Sequence, residues 1–295
     1  LELWVVIAIG AAFFQNVRSA LQKHLKGRLS TTGVTFSRFV FAVPMIMVVL
    51  AVLVLVRGYE LPVPNARFGA FVAVGGISQI TATALLVHLF GLRSFAVGTT
   101  FSKTETIQAA LFGIVVLSDA ITLMAGVALL VSLVGVVLLS SINGLRGGVF
   151  NRGTRVGIAS GTAFAVSGIS YRGASLSLES GDFIIRATFT LACVLAFQTV
   201  IMAIWLKWKD PRQIGRVLQS WRVSALVGLA GGLASLGWFS AMTLQNAAYV
   251  KAVGQIELLF TFAASVLIFR ERSNRREVGG IILVSLGILL LLLWK

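Results

Sequence analysis

The sequence predicts an all-α polytopic membrane protein, with ten transmembrane helices in two inverted five-helix repeats around a central cavity. Three observations carry that expectation: an apolar composition, ten segments long enough to span a bilayer, and glutamates at matched positions in the two halves. The 295 residues are 57% hydrophobic and only 12% charged, with a mean hydropathy of +0.94. An ordinary soluble domain is about 25% charged.

A spanning helix needs about 20 mostly apolar residues. Such segments run over 3–21, 32–56, 68–90, 95–117, 121–141, 156–176, 183–206, 223–243, 246–268 and 278–294. The connections are short, so no soluble domain fits between them and the helices themselves must carry the function. The first segment, "LWVVIAIGAAFFQNVRSAL", is read as a span and not a cleaved signal, because nine more follow. It carries Gln15 and Asn16; the second carries Arg38, and the third Gln79, Thr81, Thr83 and His88.

The fourth span contains "FSKTETIQ" at 101–108. Lys103 and Glu105 point about 160° apart at helical periodicity, with Thr99, Ser102, Thr104, Thr106 and Gln108 between them. A helix polar on nearly every side has to be surrounded by protein and a wet cavity. The fifth and tenth spans carry only Ser and Gly as polar interior residues, which suits a lipid-facing rim or a homodimer contact. In the sixth and eighth, Gly157 to Gly161 and Gly228 to Gly232 have the spacing that allows close helix approach. The seventh holds the single cysteine, Cys193, so no disulfide forms within the chain. Trp238 stands inside the eighth span, and Tyr249, Lys251, Gln255 and Glu257 inside the ninth.

A net charge of +15 is a topology signal here before it is a ligand signal. Sixteen Lys and Arg fall in or beside the loops after spans one, three, five, seven and nine, whereas Arg57, Arg67 and Lys295 fall on the other side. The positive-inside rule therefore places the first set in the cytoplasm and both termini outside.

Residues 95–117 overlay 247–269 without a gap and put Glu105 on Glu257; "LVSLVGVVLL" at 130–139 resembles "LVSLGILLLL" at 283–292. Upstream, 31–42 lies over 179–190 and pairs Gly33 with Gly181, Arg38 with Arg186 and Phe41 with Phe189. The simplest division is 1–145 and 146–295. Five is odd, so the second half enters the membrane in the opposite sense to the first, an arrangement typical of secondary transporters, with substrate near midplane where the repeats meet.

The stretch 231–292 resembles the second EamA-type domain of the ten-helix drug/metabolite transporter superfamily, in its intramembrane Glu257, the turn "FRER" at 269–272 and the Gly-rich last span. The first half matches less sharply, its corresponding turn reading "LSDA" at 117–120. The resemblance implies a basket of ten helices with a central cavity, moving small metabolites, amino acids or drugs across a bacterial cytoplasmic (inner) membrane, usually outward. It also implies cytoplasmic termini for many relatives, against the charge count.

Beyond the loops, Arg18, Arg38, Lys103, Arg172, Arg186, Lys251, Glu105 and Glu257 remain in or at the ends of spans. Each costs on the order of 3 kcal/mol at the bilayer centre and is by default a functional hypothesis. Arg18, Arg172 and Arg186 lie close enough to span ends to snorkel. The others compose a substrate site: Lys103, Lys251 and Arg38 attract a carboxylate, and Glu105 and Glu257 bind an amine or a coupling proton. Trp238 and Tyr249 form an apolar wall, and Gln15, Asn16, Gln79, Thr99 and Gln255 supply hydrogen bonds.

This set favours export of a small anionic or zwitterionic metabolite such as an amino acid. A proton-coupled multidrug or organic-cation exporter using Glu105 and Glu257 is the alternative, and a non-transporting membrane scaffold or sensor is a third reading. "GTTFSKT" at 98–104 lacks the glycine that a phosphate loop needs before its lysine, and no strand precedes it. Neither His24 nor His88 has a metal-ligand partner at useful spacing. No enzyme, cofactor, metal, nucleotide or nucleic-acid partner is expected; the expected partners are the small-molecule substrate and the lipid bilayer.

Overall fold

The computed structural model describes residues 2–89, 102–139, 152–267 and 275–294. Among them every regular element is a helix, in chain order α1 Leu3–Leu25, α2 Thr31–Val40, α3 Val43–Leu55, α4 Ala66–Leu89, α5 Glu105–Leu117, α6 Leu123–Leu139 and α7 Arg152–Leu176. There follow α8 Phe183–Lys209, α9 Arg212–Gln219, α10 Trp221–Leu244, α11 Ala247–Gly254, α12 Ile256–Leu267 and α13 Arg275–Trp294. The chain is thus an all-α, multi-pass membrane protein. Five stretches are each long and apolar enough to cross a bilayer: Leu3–Leu25, Thr31–Leu55, Ala66–Leu89, Phe183–Lys209 and Trp221–Leu244. Shorter apolar helices lie over Glu105–Leu117, Leu123–Leu138 and Val278–Leu293. Large apolar side chains cover the outside, among them Leu55, Val115 and Leu123, each more than four-fifths exposed, as a lipid-facing surface requires.

Three predicted spans are broken where sequence alone read them as continuous; in the fourth, Lys103 and Thr104 form a turn before Glu105 opens its helix. The second divides at Phe41 and Ala42, with Pro44 in the first turn of α3. Proline has no N–H to continue the ladder, and the Ala42 N–H reaches back only three residues, to Phe39 O. The ninth divides at Gln255, whose N–H likewise bonds Ala252 O. An element not foreseen is α9, whose Gln213 and Val217 are buried while Arg212 and Arg216 face outward. Its Gln213 Oε1 accepts from the Ser30 N–H at 3.2 Å, which ties this helix to the turn before α2.

Helix pairing follows the small residues. The longest seams join α1 to α10, α4 to α7 and α6 to α13. A Cβ on Gly237 of α10 would press on Ala11 of α1, and one on Gly75 of α4 would strike the Tyr171 ring of α7. Gly135 of α6 lies against the backbone of α13 at Gly280 and Val284, and Gly287 of α13 lies against α6 at Ala128 and Ser132. The fifth and tenth predicted spans are therefore each other's partners within one chain. Two apolar cores form, one from α1, α5, α6, α7, α10, α11 and α13 and the other around α2, α3, α4 and α8.

Candidate substrate site

The two glutamates that recur between the halves occupy equivalent local positions. Glu105 opens α5 and Glu257 lies in the first turn of α12, so each carboxylate sits at the N-terminal end of a helix that begins inside the protein. Negative charge is favoured there by the free N–H groups of the first turn and the helix dipole, at about 0.3–1 kcal/mol. Both side chains are buried.

Each glutamate is held by a lysine of the opposite half. Lys103 forms an ion pair with Glu257 Oε1, and Lys251 Nζ donates to Glu105 Oε2 at 3.4 Å. Glu257 Oε2 also accepts from Gln15 Nε2 at 3.0 Å, and Gln15 Oε1 accepts from Trp238 Nε1 at 3.0 Å. Asn16 Nδ2 donates to the backbone carbonyl of Glu257 at 3.1 Å. The Lys251 ammonium lies 5.3 Å from the Trp238 ring centroid and 5.8 Å from that of Phe164, within cation–π range of both. One chain of contacts thus runs through α1, α5, α10, α11 and α12.

Gln255, at the break between α11 and α12, explains how that break is sustained. Its amide donates to Thr106 Oγ1 at 2.9 Å, and its Oε1 accepts from Ser132. Trp238 rests against the bare Cα of Gly254, where any Cβ would collide with the indole.

Beside this network lies a second polar layer. Arg38 Nη1 donates to Thr83 Oγ1 at 2.6 Å. Tyr171 Oη stands 2.9 Å from both Gly75 O and Gln79 Oε1 and gives its one proton to one of them. The Gln198 amide donates to Gln79 Oε1 at 2.9 Å and to Tyr171 Oη at 3.2 Å. A cavity of about 10 Å³ is lined by Lys103, Glu105, Gln255 and Glu257. A neighbouring one of about 20 Å³ is lined by Arg38, Gln79, Ser167 and Tyr171. Gln15, Trp238 and Lys251 border both. Each has room for about one water, far below the 300 Å³ or more of a typical small-molecule site. Both cavities are closed around their polar groups in this conformation.

At one end of the bundle, Arg172 of α7 donates to Met242 O and Gln245 O, both at 2.7 Å, and pairs with Asp119 at 3.2 Å. This joins α7, the end of α10 and the turn between α5 and α6. Ser118 in that turn has a left-handed backbone, φ 55°.

Of the expected site residues, Gln15, Asn16, Lys103, Glu105, Trp238, Lys251, Gln255 and Glu257 come together, with Arg38 and Gln79 in the adjoining layer. Tyr249 is packed in an apolar core and lines neither cavity, and Thr99 lies outside the described residues. Sequence reasoning placed Thr106 on the polar fourth span without a partner, and missed Ser132, Phe164, Tyr171 and Gln198, single polar or aromatic residues with no periodic signal. Snorkelling fails for Arg18, which is 2% exposed, whereas Arg172 is partly exposed and bonds protein groups.

Residues 152–293 match the EamA-like transporter family. An uncharacterized transporter from Sinorhizobium sp., from the region 3′ of cobO, is 31% identical over 132 residues, 44% of this chain and 89% of that relative. A protein of solved crystal structure superposes with a TM-score of 0.72 at 16% identity, covering 99% of this chain and 96% of its own, which shows a shared fold.

Proposed function

The chain belongs to the EamA-like transporter family, and from that membership we propose a secondary transporter that exports a small anionic or zwitterionic metabolite, amino acids leading, by alternating access. The observation that carries this reading is the reciprocal pairing of Lys103 with Glu257 and Lys251 with Glu105. Charges are expensive inside a membrane protein and are kept where they line a substrate or ion path. Here they form adjacent cationic and anionic centres around cavities bordered by Gln15 and Trp238. Lys103 and Lys251 take the carboxylate, Glu105 and Glu257 take the amine, and a bound zwitterion exchanges protein ion pairs for its own.

The division into five-helix repeats at 1–145 and 146–295 is part of the proposal. Three features support it: the family match over 152–293, the α1–α10 seam alongside α4–α7, and both glutamates at internal helix starts. Access then alternates as one repeat rocks against the other. The membrane is a bacterial cytoplasmic membrane with both termini outside, as the loop arginines and lysines direct.

Uptake of carbon-14-labelled amino acids into inverted vesicles tests the reading. Accumulation above vesicles lacking the protein is expected; transport of organic cations with no amino acid moved would overturn the substrate class.

A further inference from the structure

Arg18 and Arg38 hold two buried positive charges that no carboxylate of the described residues neutralises at ion-pair range. They are 2% and 3% exposed. Both stems pass over Gly231, where an added Cβ would stand 3.3 Å from Arg18 Cδ and 3.3 Å from Arg38 Cγ. The two charges repel each other. Arg38 donates to the neutral Thr83 hydroxyl, and Arg18 Nε has no hydrogen-bond partner. Glu105 attracts Arg18 at longer range, but its carboxylate already receives the Lys251 ammonium. One turn along α1, Gln22 is fully buried with neither amide atom bonded.

Buried like charges side by side destabilise a fold unless something of opposite sign joins them. Guanidinium groups match the geometry of oxyanions, each presenting a planar fork of donors. The surrounding network does not supply the missing charge, because Lys103 and Lys251 use up Glu257 and Glu105. Among the described residues of this cluster, Arg18, Arg38, Lys103 and Lys251 face Glu105 and Glu257, an excess of two positive charges.

We propose that Arg18, Arg38 and Gln22 form the oxyanion subsite of the transported solute, and that this solute carries two negative charges, as a dicarboxylate or a phosphate monoester does. The inference rests on the transport reading above and narrows its substrate class from anionic or zwitterionic to doubly anionic. The subsite lies beside the cavity that Arg38 shares with Lys251 and Gln15, so the rest of the solute reaches the lysine and glutamate network.

The purified full chain in detergent is titrated with glutarate, glycerol phosphate, glutamine and, at matched ionic strength, sodium chloride, with calorimetry and thermal unfolding as readouts. One dianion is expected to bind at least tenfold more tightly than glutamine, and which of the two does so identifies the oxyanion. Arg18→Gln and Arg38→Gln should each weaken that dianion at least tenfold. Arg18→Gln should also raise the Tm of the ligand-free protein, which a purely structural arginine would not do.

Glutamine binding as tightly as the better-bound dianion, unchanged dianion affinity in both variants, no response to any probe, or a lower ligand-free Tm in Arg18→Gln would each overturn the subsite. A response to chloride equal to that of the dianions would mean an adventitious ion only and would overturn it too. Vesicles that move amino acids while Arg18→Gln binds dianions normally would sink this inference alone. Vesicles that move no solute would sink the transport reading, whatever the titrations show.

Discussion

Replacing Glu257 by glutamine keeps the shape of the side chain and one acceptor for Gln15, and removes the charge that holds Lys103. Lys103 is 17% exposed and Glu257 7%, so the orphaned ammonium has little access to water. Removing one partner of a buried pair costs about 3–5 kcal/mol. The partial exposure of Lys103 puts this case at the lower end, and loss of the helix N-terminal charge adds only a few tenths. At about 2 °C per kcal/mol for a chain of this size, Glu257→Gln should lower the Tm by about 6 °C. Thermal unfolding of the purified variant, of Lys103→Met and of the double variant closes the cycle. The double variant should recover at least about half of the summed loss, because neither charge is then left alone. An unchanged Tm in Glu257→Gln, or strictly additive losses, would refute the pairing as an energetic unit. The same variant reports on coupling: full pH-dependent transport in Glu257→Gln would remove this carboxylate as a proton carrier.

Two further outcomes follow from packing and from the end of the bundle that Arg172 ties together. A Cβ at Gly228 would fall 2.5 Å from the carbonyl carbon of Phe41, at the break between α2 and α3, whereas one at Gly10 meets nothing within 4 Å. Gly228→Ala should therefore cost at least about 2 kcal/mol or abolish folded expression, and Gly10→Ala should be neutral or stabilising by up to about 1 kcal/mol; size-exclusion profiles and Tm distinguish them. Arg172→Gln removes the charged contacts to Met242, Gln245 and Asp119. In a Cys193→Ala background it should raise at least threefold the alkylation rate of a cysteine placed at Ser167, a residue lining the cavity; an unchanged rate would show that these contacts do not restrain opening.

Hydropathy located the five stretches that reach spanning length among the described residues, because spanning length is a property of local composition. The matched positions of Glu105 and Glu257 also carried over into structure, since the gapless overlay of 95–117 on 247–269 places them at equivalent helix starts. The break beside Pro44 was within reach of the sequence, and the one at Gln255 was not, because it is sustained by Thr106 and Ser132 from other helices. Arg18 shows the same limit from another side. Distance from a span end says how far a side chain must reach for water, but whether the path is open depends on the neighbours, and here Gly231 of α10 lies beneath its stem. The pairing of lysines across the halves was also hidden, since in the overlay Lys103 falls on Gln255 and not on Lys251.

The seat of Trp238 on Gly254 has an optical consequence. Its indole is 6% exposed, bonded to Gln15 and faced by the Lys251 ammonium, whereas Trp205, Trp208 and Trp221 stand at least half exposed. Any motion that parts α10 from α11 replaces an amide and a fixed cation around that ring with mobile water dipoles. Trp238 therefore stands at the partition between the two polar cavities, and in a variant whose other five tryptophans are replaced by phenylalanine a shift in its emission would time the opening of the site without any attached label.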